Sequence, residues 1–140
     1  MEYQLINTTW KEDKDTLSKV RHIVFINEQG VPEELEWDED DNTSIHILVT
    51  DKHQTPIGTG RMKPNGHIGR MAVIKKYRKS GIGTAILKEL LKSAATQNLK
   101  HVYLHSQITA IPFYEKLGFK ISSEEFMDAG IPHKTMQRTL

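Results

Sequence analysis

The stretch from Met71 to Thr84 constrains the chain most, because it sets three kinds of local structure end to end. Met71-Ala72-Val73-Ile74 reads as strand, Lys75 to Ser80 as a basic turn, and Gly81-Ile82-Gly83 as the mouth of a long helix. Beyond Gly81, residues Ile82, Ile86, Leu90 and Ala94 recur at helical spacing, flanked by Leu87, Leu91 and Ala95, in one apolar stripe to about Gln97. A helix with so broad a stripe needs a sheet to cover, which makes this an α/β chain. The helix entrance has its own chemistry. Its first amides lack carbonyl partners and carry partial positive charge, and glycine at 81 and 83 lets a bulky anion come close. Phosphate binding and close helix–sheet packing both fit this pattern.

The remaining periodicities fill in a mixed, mostly antiparallel sheet of about six to seven strands flanked by helices. Tyr3 to Ile6 is a short strand. Thr9 and Glu12 have capping-box spacing, and Leu17, Val20 and Val24 mark a helix from about Lys11 to Asn27. Ser44 to Thr50 puts Ile45, Ile47 and Val49 on one face, the alternation of a half-buried strand. A strand from Ile57 to Lys63 and one from His67 to Ile74 flank Asn65-Gly66, which predicts a type I′ hairpin turn. His101 to Gln107 is a further strand. A short helix follows from Ala110 to Leu117, with Thr109 as N-cap and Gly118 as stop. Phe119 to Ile121 and His133 to Arg138 are the last two strands. No repeat or linker divides residues 1–140, so one domain is expected.

Composition excludes several classes. The chain has 140 residues, 26% of them charged, and no cysteine. Disulfides, thiolate metal sites and a cysteine acyl-enzyme are therefore out, and a cytoplasmic location is expected. No apolar run has membrane-spanning length, and residues 1–4 do not begin a secretory signal. A basic face with interleaved aromatics is missing, which argues against nucleic acid. His101 and His105 fall on one face of a strand, too far apart for easy joint ligation, so no metal is expected. Charge is nonetheless clustered. Seven acidic residues lie between Glu33 and Asp41, and five basic ones between Arg70 and Lys79. Two solvated surfaces would account for both. A cation-attracting surface and an anion site would do so as well.

Two common phosphate motifs fail on Arg78-Lys79-Ser80-Gly81-Ile82-Gly83-Thr84. A P-loop wants Lys-Ser/Thr after its last glycine, where Thr84-Ala85 stands, and a dinucleotide fingerprint wants glycine where Ile86 stands. Arg78, Gly81 and Gly83 do match the R/Q-x-x-G-x-G/A signature of GNAT N-acetyltransferases. Gly69-Arg70-Met71-Ala72-Val73 is similar to that superfamily's central strand, and Ala110 to Phe119 to its later helix and strand. Arg21-x-x-Val24-Phe25-x-x-Glu28-Gln29, Asp41 with His46, and Ala129-Gly130-Ile131-Pro132-His133-x-x-Met136 resemble the ElaA/YjcF-like branch. Lys79-Ser80 departs slightly, where the family often has Gly-Lys or Gly-Arg.

The resemblance implies a GNAT acyl-CoA N-acyltransferase fold whose two central strands splay, here the strand ending at Ile74 and the strand His101 to Gln107. It implies acetyl-CoA as co-substrate, with pyrophosphate held by main-chain amides from Arg78, Lys79, Ser80, Gly81, Ile82, Gly83 and Thr84. Met71, Ala72 and Val73 would bond pantetheine, and one strand N–H would polarise the thioester carbonyl. Tyr114 becomes the general acid; without the resemblance it reads as a packed aromatic beside Ile111 and Leu117. Glu28, His46, His105, Glu125 and His133 are base candidates by residue type, and Glu28 and His46 rank first because they sit in branch-like motifs. Ordered water is an alternative base. The acceptor would be a small-molecule or peptide amine, and the acidic run suggests a cationic one. A non-enzymatic acyl-CoA-binding module is the rival reading, and the sequence fits a monomer or a homodimer.

Overall fold

In a computed structural model describing residues 2–140, eight strands form one sheet in the order β1-β2-β3-β4-β5-β8-β6, with β7 also paired to β8. The strands are β1 (Tyr3–Thr8), β2 (Ile45–Asp51), β3 (Pro56–Met62), β4 (His67–Val73), β5 (His101–Gln107), β6 (Lys120–Ile121), β7 (Phe126–Asp128) and β8 (Ile131–Thr139). All pairs are antiparallel except β4 with β5. That parallel pair is held only at His67 with Tyr103 and Ile68 with Leu104. Beyond Ile68 the two strands part, as expected for the site.

Helix α3 (Ile82–Thr96) lies on one face, and its Ile82, Ile86, Leu87, Leu90 and Ala94 are fully buried against Ile47, Val49, Ile68 and Val102. Each such aliphatic side chain contributes about 1.5–3 kcal/mol. The helix can sit this close because β3 carries Gly60, where a Cβ would fall 2.6 Å from Ile86 Cγ2. Helix α1 (Trp10–Arg21) covers the opposite face. It packs Trp10 and Leu17 on Leu48, while Val20 and Val24 reach Ala72 of β4. Thr9 caps α1 by accepting the Glu12 amide at 3.2 Å. Strand β2 is thus buried on both faces rather than one. Alternation in Ile45 to Val49 had marked only the α3 side, since His46 and Leu48 serve the α1 side.

The acidic segment forms α2 (Glu33–Glu36) and a 3₁₀ turn, Glu39–Asn42. Three local expectations are corrected. The first helix changes character, and His22–Glu28 continues α1 as a π-helix. The hairpin after β3 is not type I′. A two-residue loop at Asn65-Gly66 would need a ladder N–H from Pro64, which has none; the turn instead centres on Pro64-Asn65, with Gly66 donating to Lys63 O at 2.9 Å and taking φ 91°. Finally, Thr109 caps nothing and stands in a 3₁₀ turn, Ile108–Ala110, before α4 (Ile111–Glu115). The stop at Gly118 is as read: φ is 88°, and Phe119 N–H bonds Tyr114 O in a Schellman arrangement.

Strand β4 carries an irregularity that bears on the site. Thr59 pairs with Ala72 and Arg61 with Gly69, so Gly60 alone faces both Arg70 and Met71. The extra residue is a β-bulge, and Arg70 takes φ 49° to make it.

Candidate active site

The parting of β4 and β5 opens a cavity of about 700 Å³. Its walls come from β4 and β5, the start of α3, α4, the π-helical segment and the β7–β8 turn. At one end, Lys79 and Gly81 both take left-handed φ, 65° and 86°, so the chain turns its amides outward as α3 begins. The amides of Lys79, Ser80, Gly81, Ile82, Gly83 and Thr84 have no partner among the described residues; Ala85 N–H, bonding Gly81 O, is the first inside the helix. A Cβ built on Gly81 meets nothing within 4 Å, so open space lies there. Six donors around an open space fit a diphosphate.

Nine of the ten residues expected to hold coenzyme A line this cavity: Met71, Ala72, Val73, Arg78, Lys79, Gly81, Ile82, Gly83 and Thr84. Ser80 is not among its walls, because its hydroxyl turns back to Tyr77 O. Arg78 is engaged otherwise than expected. Its Nη1 and Nη2 donate to both Glu28 oxygens at 2.6 Å, and its Nε donates to Val73 O at 2.9 Å. Its amide, expected among the free donors, is also taken, by Lys75 O at 3.2 Å, so the free row begins at Lys79.

Tyr114 lines the same cavity from α4, half-buried between Phe113 and Phe119 at ring distances of 5.0 and 5.9 Å. Burial pushes its phenol up to about 12, which keeps it protonated at neutral pH. Its hydroxyl makes no hydrogen bond among the described residues, so the donor is available to a ligand.

The two first-ranked base candidates are placed unfavourably. His46 is buried away from the cavity, at 1% exposure. It donates Nε2–H to Asp41 O at 2.9 Å and packs on Trp10, and burial lowers its pKa. Glu28 is held by Arg78, whose hydrogen bonds keep its carboxyl below the usual value. A carboxylate so satisfied is a poor proton acceptor. Glu125 is exposed and outside the cavity walls. His105 and His133 do line it.

Sequence reasoning missed His67. It stacks on Tyr103 at 4.6 Å and meets His105 edge-on at 4.7 Å, and His105 meets Phe126, which stacks on His133. One wall of the cavity is therefore a continuous run of rings. Burial, with His105 and nearby cations, lowers His67 to about 4. The parallel register of β4 on β5 creates this wall, and neither strand's own pattern signals it.

The acidic run is also not the surface it resembled. Arg21, fully buried on α1, donates from Nη1 and Nη2 to Asp41 at 2.8 and 3.1 Å and pairs through Nε with Glu36. Arg61 bonds Asp38 at 2.7 Å and Asp41 at 3.0 Å, and Arg70 reaches Asp38 at 3.2 Å. Lys63 pairs with Asp40 at 2.9 Å. Burial pushes the Asp41 carboxyl up, but Arg21 and Arg61 outweigh it and hold it below the ordinary value. Four of the seven acidic side chains in the run are thus paired by the chain's own cations, while Glu33, Glu34 and Glu39 are exposed and make no ion pair among the described residues. One signal was present: Arg21 stands in the Leu17–Val20–Val24 stripe, where a cation needs a buried partner.

Comparison with known proteins agrees with this architecture. The family model of the GNAT acetyltransferase domain matches residues 13–140. The uncharacterized N-acetyltransferase YjcF of Bacillus subtilis is 44% identical over 123 residues, covering 85% of this chain and 87% of that protein. Crystalline Escherichia coli ElaA superposes with a TM-score of 0.88 at 25% identity, over 98% of this chain and 99% of that one. A GNAT family acetyltransferase from Elizabethkingia anophelis, solved with acetyl-CoA bound, shares the fold with a TM-score of 0.74 at 16% identity, over 99% and 98% of the two chains. Among the described residues no helix is long and apolar enough to cross a membrane. With its parted central strands and its unpaired amides at the mouth of α3, the chain belongs to the GNAT acetyltransferase family and is an acyltransferase.

Proposed function

We propose that the protein transfers the acetyl group of acetyl-CoA to a primary amine by direct attack within a ternary complex. The carrying observation is the row of six unpartnered amides, Lys79 to Thr84, at the end of the cavity between β4 and β5. Such a row selects phosphate oxygens, and a diphosphate gripped there directs pantetheine along β4 into the gap. Beyond Ile68, β4 is no longer paired with β5, so the proposed polarising donor is a main-chain N–H of β4 on the gap side. Such a fixed donor gains value as charge grows on the thioester oxygen.

Tyr114 is the proposed acid. As the carbon–sulfur bond breaks, its protonated hydroxyl donates to the departing sulfur. With no cysteine in the chain, a cysteine acyl-enzyme is impossible, which supports one-step transfer from the bound thioester.

Calorimetry with coenzyme A tests the binding half; no heat and no thermal shift would reject the reading. Thiol release from acetyl-CoA with a panel of ethanolamine, glycinamide, glucosamine, 1,4-diaminobutane and a lysine peptide tests the transfer half. Tyr114→Phe is expected to lower kcat by about 10²-fold while coenzyme A affinity stays within about twofold. Wild-type kcat in that variant would return Tyr114 to a packing role.

A further inference from the structure

Resting on this reading, we infer that His133 is the base that takes the proton from the acceptor amine, through Nε2. Three observations converge on it. His133 borders the cavity from β8 and is 8% exposed, so its ring is held within the cavity wall. Its Nδ1 lies 2.7 Å from Ile131 O. A carbonyl only accepts, so Nδ1 carries the hydrogen and the lone pair of the neutral ring resides on Nε2. The ring is also held in plane: Phe126 stacks on it at 6.0 Å with 24° between the planes, and the β7–β8 pairing sets Phe126 opposite His133. Orientation, tautomer and access are thus all set by main chain and packing.

The neighbouring imidazoles are less suited. His67 is locked in its stack with Tyr103 and held neutral. His105 shares Nδ1 with a hydroxyl, Thr135 Oγ1 at 3.0 Å, which can either donate or accept and so fixes no tautomer. His105 of β5, whose pKa burial lowers, has Asp128 of β7, His133 and Lys63 as its charged neighbours. Asp128 is exposed and belongs to the cavity wall, so a proton on the imidazolium has an outlet toward water.

The step balances as follows. The amine nitrogen attacks the thioester carbonyl carbon, and the carbon–sulfur bond breaks. Nε2 of His133 takes one proton from nitrogen, and Tyr114 supplies one to sulfur. The products are the amide and coenzyme A thiol. The imidazolium then loses its proton to water, and the tyrosinate regains one.

Two measurements decide it. Nitrogen-15 NMR of histidine-labelled protein needs no acceptor: Nδ1 of His133 must be protonated and Nε2 unprotonated at neutral pH, and the opposite tautomer overturns the assignment. For kinetics, His133→Asn is the informative variant, because the Asn amide reproduces the Nδ1–H donor to Ile131 O and removes Nε2. With whichever amine of the panel turns over, kcat should fall about 10²-fold, with coenzyme A thermal shift and unfolding midpoint retained. The low-pH fall in kcat/KM should also vanish. An undiminished kcat in the folded variant sinks the assignment to His133 alone, whereas a wild-type protein blind to coenzyme A sinks the acetyl-transfer reading beneath it.

Discussion

Two polar regions face each other across β4, and they are built on opposite rules. At the α3 entrance, Lys79 to Thr84 expose six amide donors that nothing in the protein satisfies. In the cluster behind Arg70, three arginines (Arg21, Arg61, Arg70) and three carboxylates (Glu36, Asp38, Asp41) bond one another extensively, and among the fully buried side-chain atoms of the described residues only Arg61 Nε lacks a partner. The first region carries little formal charge of its own and is poised for a ligand. The second has abundant charge and is closed. What distinguishes a binding site from a scaffold here is unspent hydrogen-bonding capacity rather than charge density.

The largest effect expected on that contrast is at the open region. Gly81→Asp or Gly83→Asp should reduce coenzyme A affinity by more than about 10²-fold in calorimetry, since either carboxylate would stand among the free amides. Gly83→Asp is the cleaner arm, because its added Cβ meets Phe113 at an ordinary 3.4 Å, whereas Gly81 holds φ 86°, where a side chain adds backbone strain of its own. Retained affinity in both would show that the amides serve something other than phosphate.

At the closed region the readout should be stability. Asp41→Asn leaves Arg21 and Arg61 without their shared carboxylate and should destabilise the fold by about 3–5 kcal/mol in urea denaturation. Acid should act in the same direction. Asp38 and Asp41 titrate below their ordinary values, so their contribution is complete above the unfolded carboxylate pKa and disappears as pH falls through the folded one.

A weaker pH effect separates the ring wall from both. His67 is lowered from 6.5 to about 4, so the unfolded chain takes up a proton first. Stability should therefore be complete above about 6.5, decline by at most roughly 3 kcal/mol toward pH 4, and level off below. His67→Phe should flatten that segment of the pH–stability curve; an unchanged slope would assign it to other groups. The smallest effect belongs to Glu28, whose pair with Arg78 is partly exposed. Glu28→Gln should move the unfolding free energy by no more than about 1 kcal/mol.

How much of this was legible in the sequence follows from how local each cause is. The α3 entrance was readable because its causes lie within seven residues, Arg78 to Thr84, and its glycines encode backbone shape directly. The β4–β5 gap followed from family resemblance. The hairpin was misread because Asn65-Gly66 was weighed without Pro64, whose missing N–H disfavours a two-residue loop at that point. Strand β7 was missed because three residues are too few to alternate, and it exists only by pairing with β8. The arginine–carboxylate cluster joins α1, α2, the 3₁₀ turn, β3 and β4 across separations of 15 to 32 residues, and no local pattern announces such pairings. The ranking of base candidates has the same weakness: motif membership put Glu28 and His46 first, while burial and partners decide what each can do.

The bulge at Arg70 has one further effect. Ile68 before it and Met71 and Val73 after it all pack on the α3 side, while Ala72 joins Val20 and Val24 on the α1 side. Even-numbered positions point toward α3 upstream of Arg70, and odd-numbered ones do so downstream. The bulge acts as a phase shifter, inverting the strand's parity within a single sheet. Deleting Arg70 would leave a regular ladder in which Ile68, Met71 and Val73 still share the α3 side, so the extra residue alters the path of the strand without altering which side chains face the core.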